Sequence, residues 1–338
     1  MRVVLLGASH WHVPLYLDAL QRSGHSVVAV SDREGVKGET VAHRFGCPCH
    51  ASDQELLRQY AIDFAFVFGR HADLAALGGT LVDRGIPFAM EKPCGISAAQ
   101  VATLRERAEA KRLYVAVPFI LRVGELLDRI RGSEGSLPTR LHHAAFRFIA
   151  GPVARYRNGA DWMLDPATAG GGCTMNLAVH FIDLFRQLTG QPVAAVRAVM
   201  TNRSQGVAVE DHSVLLLTAA DGTPGVLETG YSFPGGGAEP REFSFSISTE
   251  AGYYRSASGG VSFLRRDAAA SGPTLLPAGL DTDPLYGNFV NRVLAEVQSG
   301  ATPVAGLRDV EAVMRVIDAA YASARADGAL RKIAQEED

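Results

Sequence analysis

The stretch Arg2–Asp32, RVVLLGASHWHVPLYLDALQRSGHSVVAVSD, decides the fold of the N-terminal part of the chain. It begins with a short apolar run, RVVLLG, which predicts a buried strand. The apolar spacing of the next segment, VPLYLDALQRSG, predicts an amphipathic helix, and SVVAVSD predicts a second strand. Strand, turn, helix and strand in this order are typical of the first unit of a parallel sheet.

The same alternation continues to residue 119. The runs DFAFVF, PFAME and LYVAVPF predict strands, and the segments GETVAHRFG, ADLAALGGTLVDRG and SAAQVATLRERAEAKR predict helices. These strands are short and apolar throughout, as strands covered on both faces are. We therefore predict an α/β fold that begins with a doubly wound parallel sheet.

The pattern changes after Gly135. Longer stretches such as RLHHAAFRFIA, VAAVRAVMTNR and HSVLLLTAA alternate apolar and polar residues, which predicts a mainly antiparallel sheet with one wet face. We predict two domains, 1–120 and 121–338, the second of them α+β with closing helices over 284–326.

Composition narrows the class of protein. The chain has 338 residues and a net charge of -3, and it contains no apolar run of the length that spans a membrane. The mixed charges argue against a nucleic-acid partner or a membrane surface. The apolar start is too short for a signal-peptide core. The four cysteines lack the paired spacing of a zinc site, so we expect no metal and reduced thiols in the cytoplasm.

The turn after the first strand carries the first chemistry. The usual dinucleotide fingerprint is G-x-G-x-x-G between a strand and a helix, with an acid about twenty residues on. Here Gly7 can make the sharp turn, while Ser9 and His12 replace the second and third glycines. Backbone N–H groups hold the pyrophosphate, so a residue as small as Ser9 still fits. Its hydroxyl could equally cap the helix.

Asp32 ends the second strand and supplies the acid of the fingerprint. A carboxylate there accepts a hydrogen bond from the ribose 2′-hydroxyl and repels a 2′-phosphate, which favours NAD over NADP. The alternative is that Asp32 is a turn acid that caps the next helix. Arg33 would partly offset that repulsion, so NADP stays an alternative. The cofactor contacts predicted in this segment are Gly7, Ser9, His10, Trp11, His12, Asp32 and Arg33.

Two other interpretations of the histidine pair stay open. His10 and His12 could bind a metal, but side chains two apart on a helix point in different directions. Alternatively, Trp11 and the two histidines simply pack around a turn, which is compatible with cofactor binding.

Glu91, Lys92 and Pro93 follow the predicted strand PFAM. In doubly wound sheets, ligands bind beyond the carboxyl ends of the strands. A lysine there can donate a hydrogen bond to a substrate oxygen, and desolvation would lower its pKa and let it join proton transfer. The alternative is a surface lysine paired with Glu91. We also predict that the Lys92–Pro93 peptide bond is cis. His71, which follows the strand DFAFVF, is predicted either to lie beside the nicotinamide or to cap the next helix.

A second cluster lies in GGCTMNLAVHFIDLFRQL, which predicts a helix. Asn176 and His180 are four residues apart and therefore share a face. A neutral imidazole is the natural base for an alcohol proton, and Asn176 can hold a substrate oxygen. Asp183 could orient His180, or instead form a salt bridge. The glycines at 170–172 would let the chain pass close to a ligand.

With these motifs placed, the sequence resembles the Gfo/Idh/MocA oxidoreductase family along nearly its whole length. The resemblance rests on the N-terminal pattern, EKP at residues 91–93, LR at 121–122, DWMLDPATAGGG, NLAVHFID, VEDHSVLLLTAADGTPG and the closing segment from residue 289. It implies a Rossmann domain followed by a domain with a large open sheet, through which such chains commonly form dimers or tetramers.

The resemblance also implies NAD(P)-dependent oxidation of a secondary alcohol on a sugar or cyclitol. The family's lysine maps to Lys92 and its base to His180, whereas its usual acid maps to Asn176, which is a departure. The predicted catalytic residues are therefore Lys92, His180 and Asn176. Side chains flanking the expected cleft are predicted substrate contacts: Arg122, Arg157, Trp162, Asp165 and Asn176.

Three other functions remain open at this point. Scaffolds of this kind can lose their chemistry, so the chain could be a non-catalytic, cofactor-dependent sensor. It could reduce an imine or a conjugated double bond, for which His180 is not essential. It could also use the bound cofactor for a redox-neutral elimination or glycoside cleavage.

Overall fold

The computed structural model describes residues 1–33, 35–131, 140–157, 159–234, 241–267 and 272–334. The chain begins with strands and helices in alternation: β1 (Arg2–Leu6), α1 (Pro14–Arg22), β2 (Ser26–Ser31), α2 (Val36–Phe45), β3 (Cys49–His50), α3 (Asp53–Gln59), β4 (Phe64–Val67), α4 (His71–Arg84), β5 (Phe88–Met90), α5 (Ala98–Ala110) and β6 (Val115–Ala116).

Longer strands dominate the remainder. Its elements are α6 (Glu125–Arg131), β7 (Leu141–Ala150), α7 (Pro166–Ala169), α8 (Val179–Thr189), β8 (Val193–Thr201), β9 (His212–Ala219), β10 (Pro224–Gly230), β11 (Arg241–Thr249), β12 (Gly252–Ala257), β13 (Gly260–Arg265), β14 (Thr274–Pro277), α9 (Pro284–Ser299), α10 (Leu307–Ala324) and β15 (Arg331–Lys332). Single 3-10 turns occupy Ile120–Val123, Val153–Tyr156 and Asp161–Leu164, and Thr174–Ala178 forms a π-helical turn.

The first sheet is parallel and has the order β3-β2-β1-β4-β5-β6. Val3 of β1 is in register with Val27 on one side and with Phe64 on the other. The side chains of β1 from Val3 to Leu6 are completely buried, as expected for a central strand covered by helices on both faces. The predicted doubly wound parallel sheet is confirmed. The short elements β3 and α3 escaped sequence analysis because neither is long enough to show a period.

By its contacts the chain divides into two compact units. Unit 1 comprises residues 1–123, 156–170 and 283–311, and unit 2 comprises 124–155, 171–282 and 312–338. The predicted domains, 1–120 and 121–338, follow chain order. The contacts instead place residues 156–170 and 283–311 in the same unit as residues 1–123. The chain enters unit 2 and then returns, so these later segments pack with the N-terminal residues.

Unit 2 contains the second sheet, of order β14-β13-β12-β11-β7-β10-β9-β8-β15. Among the described strands, β7 and β10 pair in parallel and all other neighbours are antiparallel. One face is covered by α8, whose Phe181 ring packs on Phe146 and Phe148. The other face exposes apolar side chains such as Leu216. The predicted mainly antiparallel, open-faced sheet is confirmed.

The helices all have the lengths and mixed surfaces usual in globular proteins. The longest described helix, α10, has 18 residues and carries charged side chains along its length. Within the ranges that the structure describes, none of the helices combines the length and the apolar character needed to cross a membrane.

Candidate active site

The turn after β1 is built for a close backbone approach. Gly7 has a φ of +80°, and a Cβ at this position would meet the carbonyl oxygen of Phe68 at 2.5 Å. Its N–H donates to the Ser31 carbonyl at the end of β2, 3.0 Å away. Only glycine satisfies both conditions, so the first position of the dinucleotide fingerprint is retained for a structural reason.

Ser9 holds Asp32 rather than capping α1. Its Oγ donates to Asp32 Oδ2 at 2.8 Å, and the same oxygen accepts a hydrogen bond from Gly38 N–H, also at 2.8 Å. The alternative that Ser9 is the N-cap is wrong, because α1 begins only at Pro14 and Val13 occupies the N-cap position. Asp32 is therefore buried and oriented at the carboxyl end of β2.

A cleft of about 260 Å³ opens beside this turn, within unit 1. Six residues singled out from the sequence line it: Gly7, Ser9, His10, Asp32, Arg33 and Trp162. Asp53, Arg70 and Asp73 also line it and escaped sequence analysis. Arg33 pairs with Asp73 at 3.2 Å. The crevice at the carboxyl ends of β1, β2 and β4 is thus open, as ligand binding at the switch point of such a sheet requires.

His12 turns toward the protein interior. Its Nδ1 lies 3.0 Å from Glu91 Oε2, and its Nε2 lies 3.0 Å from the hydroxyl of Tyr286. Both ring nitrogens therefore have protein neighbours, which argues against the metal interpretation. Within the described residues there is no group of three or more side chains suited to hold a metal ion. His12 is one of the residues predicted to contact the cofactor. Its ring instead faces Glu91 and Tyr286, and none of these three residues lines the cleft.

Lys92 is buried and follows β5 directly. Its Nζ lies 5.9 Å from the centre of the Trp11 ring, a distance that permits cation–π attraction. The Lys92–Pro93 bond is cis, as predicted. The alternative of a surface lysine is wrong, because Lys92 is only 2% exposed.

Two further imidazoles lie near this lysine. His10 packs between Trp162 and Phe68, and His71 meets Trp162 edge-on with ring centres 5.0 Å apart. Burial lowers the pKa of His71 to about 3, and the charge of Lys92 adds to the effect. Burial also lowers the pKa of His10 well below its usual value, although Glu91 opposes the shift. Both rings are therefore neutral near pH 7.

Two predicted substrate contacts have other roles in unit 1, and a third is exposed. The guanidinium of Arg122 binds Asp309 at 2.7 Å and the Val304 carbonyl at 2.9 Å. Asp165 caps α7 by accepting from Ala167 N–H and from the Thr168 hydroxyl, which lowers the pKa of its carboxyl group. Arg157 is exposed. Of the unit 1 candidates, only Trp162 lines the cleft.

In unit 2, Asn176 and His180 lie on consecutive but different helical segments. The expected uniform helix is replaced by the π-helical turn Thr174–Ala178 followed by α8. Asn176 is buried and its Nδ2 donates to the Tyr231 hydroxyl at 3.1 Å, whereas His180 is partly exposed. Asp183 pairs with Arg186 at 3.8 Å. Turns of this π type recur at functional sites.

The glycines before this turn approach protein atoms. A Cβ on Gly171 would meet the Tyr321 hydroxyl at 1.8 Å, and one on Gly172 would meet the Glu210 carbonyl oxygen at 2.0 Å. The Glu210 carboxylate accepts from the N–H groups of Gly172 and Thr174, each at 2.9 Å, and from the Tyr321 hydroxyl at 2.8 Å. The sequence predicts that these glycines let the chain pass close to a ligand. In the structure they let the chain pass close to Glu210 and Tyr321.

Sequence analysis missed several residues that hold the site together. They share one feature, a polar group that reaches a motif residue from a distant part of the chain: Tyr16, Glu210, Tyr231, Tyr286 and Tyr321. Spacing within one segment cannot reveal such partners. The sequence signal for Glu210 is the ED pair before β9, which belongs to the motif VEDHSVLLLTAADGTPG.

Known families match both parts of the chain. Residues 1–119 match the oxidoreductase family with an NAD-binding Rossmann fold, and residues 140–255 match the GFO/IDH/MocA C-terminal domain. Together these ranges cover more than two thirds of the sequence. The chain belongs to the GFO/IDH/MocA family and is an NAD(P)-binding oxidoreductase.

Individual relatives are distant. D-xylose 1-dehydrogenase (NADP(+)) 2 of Haloferax volcanii is 25% identical over 346 residues, which cover 96% of this chain and 98% of that protein. Trans-1,2-dihydrobenzene-1,2-diol dehydrogenase of Oryctolagus cuniculus is 28% identical over 214 residues, 62% of each chain. The structure of levoglucosan dehydrogenase with NADH and levoglucosan matches with a TM-score of 0.86 at 16% identity, and the match covers 99% of this chain and 100% of that one.

The residues of unit 1 fit a dinucleotide. Gly7 permits a tight turn at which a Cβ would collide with the Phe68 backbone, the cleft opens next to it, and Asp32 follows the end of β2. When bound, NAD supplies the hydride acceptor or donor of the reaction. Gly7 and Ser9 would face its pyrophosphate, and Asp32 its adenosine ribose.

Proposed function

We propose that this chain is an NAD-dependent dehydrogenase that interconverts a secondary alcohol and a ketone on a sugar, a cyclitol or a related polyol. The observation that carries the proposal is a buried lysine, Lys92, fixed at the carboxyl end of β5 in the unit that holds the dinucleotide cleft. An ammonium at that end of a parallel sheet is placed where ligands bind, and it can donate a hydrogen bond to an oxygen that gains negative charge.

In the proposed reaction, His180 is the base that accepts the proton of the substrate hydroxyl, and Lys92 is a donor that stabilises negative charge on oxygen. Bound NAD would supply the acceptor for the hydride of the carbinol carbon, and the product would be a ketone. Asn176 is a donor and an acceptor but cannot take a proton, so the Lys–His pair carries the proton chemistry. The neutral ring of His71 offers a further acceptor without competing for that proton.

The substrate class is proposed from the relatives and from the side chains available. The names of the three relatives refer to D-xylose, a dihydrodiol and levoglucosan, and all of these compounds carry secondary hydroxyl groups. Trp162 has a flat, partly exposed ring in the cleft, on which the apolar face of a sugar can stack. We propose NAD as the preferred cofactor, because the oriented, buried carboxylate of Asp32 disfavours a 2′-phosphate.

A panel of aldoses and cyclitols assayed with NAD at 340 nm tests this function. We expect Lys92→Ala and His180→Ala each to lower kcat about 100-fold or more, because a donor aimed at a developing oxyanion contributes roughly 3–4 kcal/mol. Lys111→Ala and His43→Ala, which replace exposed residues of the same types, serve as controls and retain activity.

Near wild-type turnover in both site variants would refute these roles. Tight NADH binding without turnover of any substrate would instead favour the non-catalytic sensor. Product formed without accumulation of NADH would favour the redox-neutral reaction.

We further propose that the chain forms homodimers or homotetramers in the cytoplasm. Support for assembly comes from the open face of the second sheet, where Val199, Leu216, Val226 and Leu264 are between 41% and 67% exposed. A face of this kind, carried by several strands, is self-complementary under two-fold symmetry. The free cysteines are consistent with a reducing compartment.

A further inference from the structure

His12 connects the opening turn to the loop that carries Lys92. It stands where the dinucleotide fingerprint has its third glycine, yet it is 2% exposed and its ring lies in the interior of unit 1. One nitrogen faces the Glu91 carboxylate at 3.0 Å and the other faces the Tyr286 hydroxyl at 3.0 Å. A carboxylate only accepts, so the nitrogen facing Glu91 carries a proton and Nε2 accepts from Tyr286 when the ring is neutral.

The Glu91 carboxylate has a second partner on the other side. Tyr16 of α1 donates its hydroxyl to Oε1 at 2.6 Å. The backbone of Glu91 is fixed as well, because its N–H donates to the Val67 carbonyl at 2.9 Å. Oε1 and the N–H of Glu91 are hydrogen-bonded, and Oε2 lies in ion-pair contact with His12 Nδ1 without a hydrogen bond. The residue immediately before Lys92 is therefore contacted on every polar side.

A second route leads from His12 to the ammonium group itself. The ring of His12 lies 3.6 Å, centre to centre, from the ring of Trp11. Trp11 in turn lies 5.9 Å from Lys92 Nζ and packs edge-on against Tyr156. His12 therefore supports both the backbone that leads into Lys92 and the aromatic face near its charge.

We infer that His12 is a positioning residue for Lys92, acting through Glu91 and Trp11. The inference rests on the proposed function only in calling Lys92 catalytic. An imidazole in place of glycine costs the close helix contact that glycine allows, and this chain uses the space for a buried polar network. Removing His12 leaves the buried Glu91 carboxylate with one fewer partner and a cavity beside Trp11, so the loop loosens.

Trace labelling of amines with acetic anhydride, read by mass spectrometry, tests the inference without any substrate. The chain has only four lysines, and Lys37, Lys111 and Lys332 are exposed and serve as internal references. In the wild-type protein Lys92 is labelled slowly relative to these three. We expect His12→Ala to raise the relative labelling of Lys92 about fivefold or more, because the buried Glu91 carboxylate loses its contact with His12.

Conservative variants separate positioning from general damage. His12→Asn, whose amide nitrogen can take the place of Nδ1, restores most of the protection, and Tyr16→Phe raises the labelling by a smaller factor. Tyr114→Phe is the matched control, because it removes a tyrosine–carboxylate bond of 2.8 Å to Glu296 in the same unit, away from the site. It leaves the Lys92 ratio unchanged.

Unchanged Lys92 labelling in a folded His12→Ala protein overturns the inference. If that variant does not fold, unchanged labelling in Tyr16→Phe overturns it instead. Once a substrate is known, His12→Ala should lower kcat in the wild-type background and have no further effect in Lys92→Ala, while NADH still binds. Absence of turnover on every substrate refutes the proposed function but leaves the labelling result standing.

Discussion

At the scale of single residues, the fold decides what each histidine can do. His71 shows this clearly, because its Nδ1 donates to the Ala169 carbonyl at 2.8 Å and its ring is completely buried. The carbonyl fixes the tautomer and leaves Nε2 as an acceptor. Burial brings the pKa of His71 down to about 3, far below the value of 6.5 for a free side chain. Sequence inspection finds the residue but not its protonation state.

This shift predicts a loss of stability in acid. Between pH 6.5 and about 3 the unfolded chain binds a proton at His71 that the folded chain does not. The free energy of unfolding therefore falls as the pH falls through this window, by about 1.4 kcal/mol per pH unit from this group. His71→Asn keeps a donor for the carbonyl but cannot titrate, so urea unfolding at pH 4 to 6 should show a slope smaller by that amount. Equal slopes in both proteins would contradict the assignment.

At the scale of elements, one carboxylate organises the entry into α8. Glu210 precedes β9 and accepts three hydrogen bonds, from Gly172 N–H, Thr174 N–H and the Tyr321 hydroxyl. These are the first N–H groups of the π-helical turn and its approach, which otherwise lack helical partners. The helix pattern around His180 is visible in the sequence, but the π turn depends on a residue from β9's approach and one from α10.

We expect Glu210→Gln to destabilise the protein by about 1.5–3 kcal/mol, because its amide presents a donor to a backbone N–H that needs an acceptor. Tyr321→Phe removes one bond to the carboxylate and costs less. Urea unfolding measures both, and hydrogen exchange should rise at Gly172–Asn176 in each variant.

Glu250→Gln, at an exposed glutamate of unit 2, is the control and should unfold like the wild type. If the exchange rates at Gly172–Asn176 do not change in the Glu210 variant, Glu210 does not hold the turn.

At the scale of the whole molecule, the second sheet leaves an apolar face in solvent. Leu216 and Val226 are register partners on adjacent strands, β9 and β10, and both are more than 40% exposed. Alternation along β9 buries Leu215 and Leu217 against the core and sends Leu216 outward. A monomer gains nothing from such a face, whereas an assembly buries it.

A double variant, Leu216→Glu with Val226→Glu, should therefore convert the proposed assembly to a monomer. Light scattering coupled to size exclusion measures the mass directly. The monomeric fold itself should persist, because neither side chain contributes to the core. A wild-type protein that is already monomeric at micromolar concentration, or a variant of unchanged mass, would show that this face is not the interface.

Local sequence patterns were enough to predict the order of most elements, the parallel first sheet and the alternation of the second. These depend on local apolar periods, which any chain of this pattern must bury in the same way. The sequence also identified Gly7, Asp32 and Lys92, because each follows a predicted strand. It did not find β3, α3 or the π turn, whose lengths are too short to show a period.

The surroundings of those residues depend on tertiary packing. His12 faces Glu91 rather than the cleft, and Arg122 forms an ion pair with Asp309. Asp165 caps a helix, and Tyr321 packs against Gly171. Except for the partners of the Asp165 cap, each of these contacts joins residues that are far apart in the sequence. Residue spacing within one segment cannot reveal such contacts. Burial and long-range hydrogen bonding set the role of a polar side chain, and they exist only once the chain has folded.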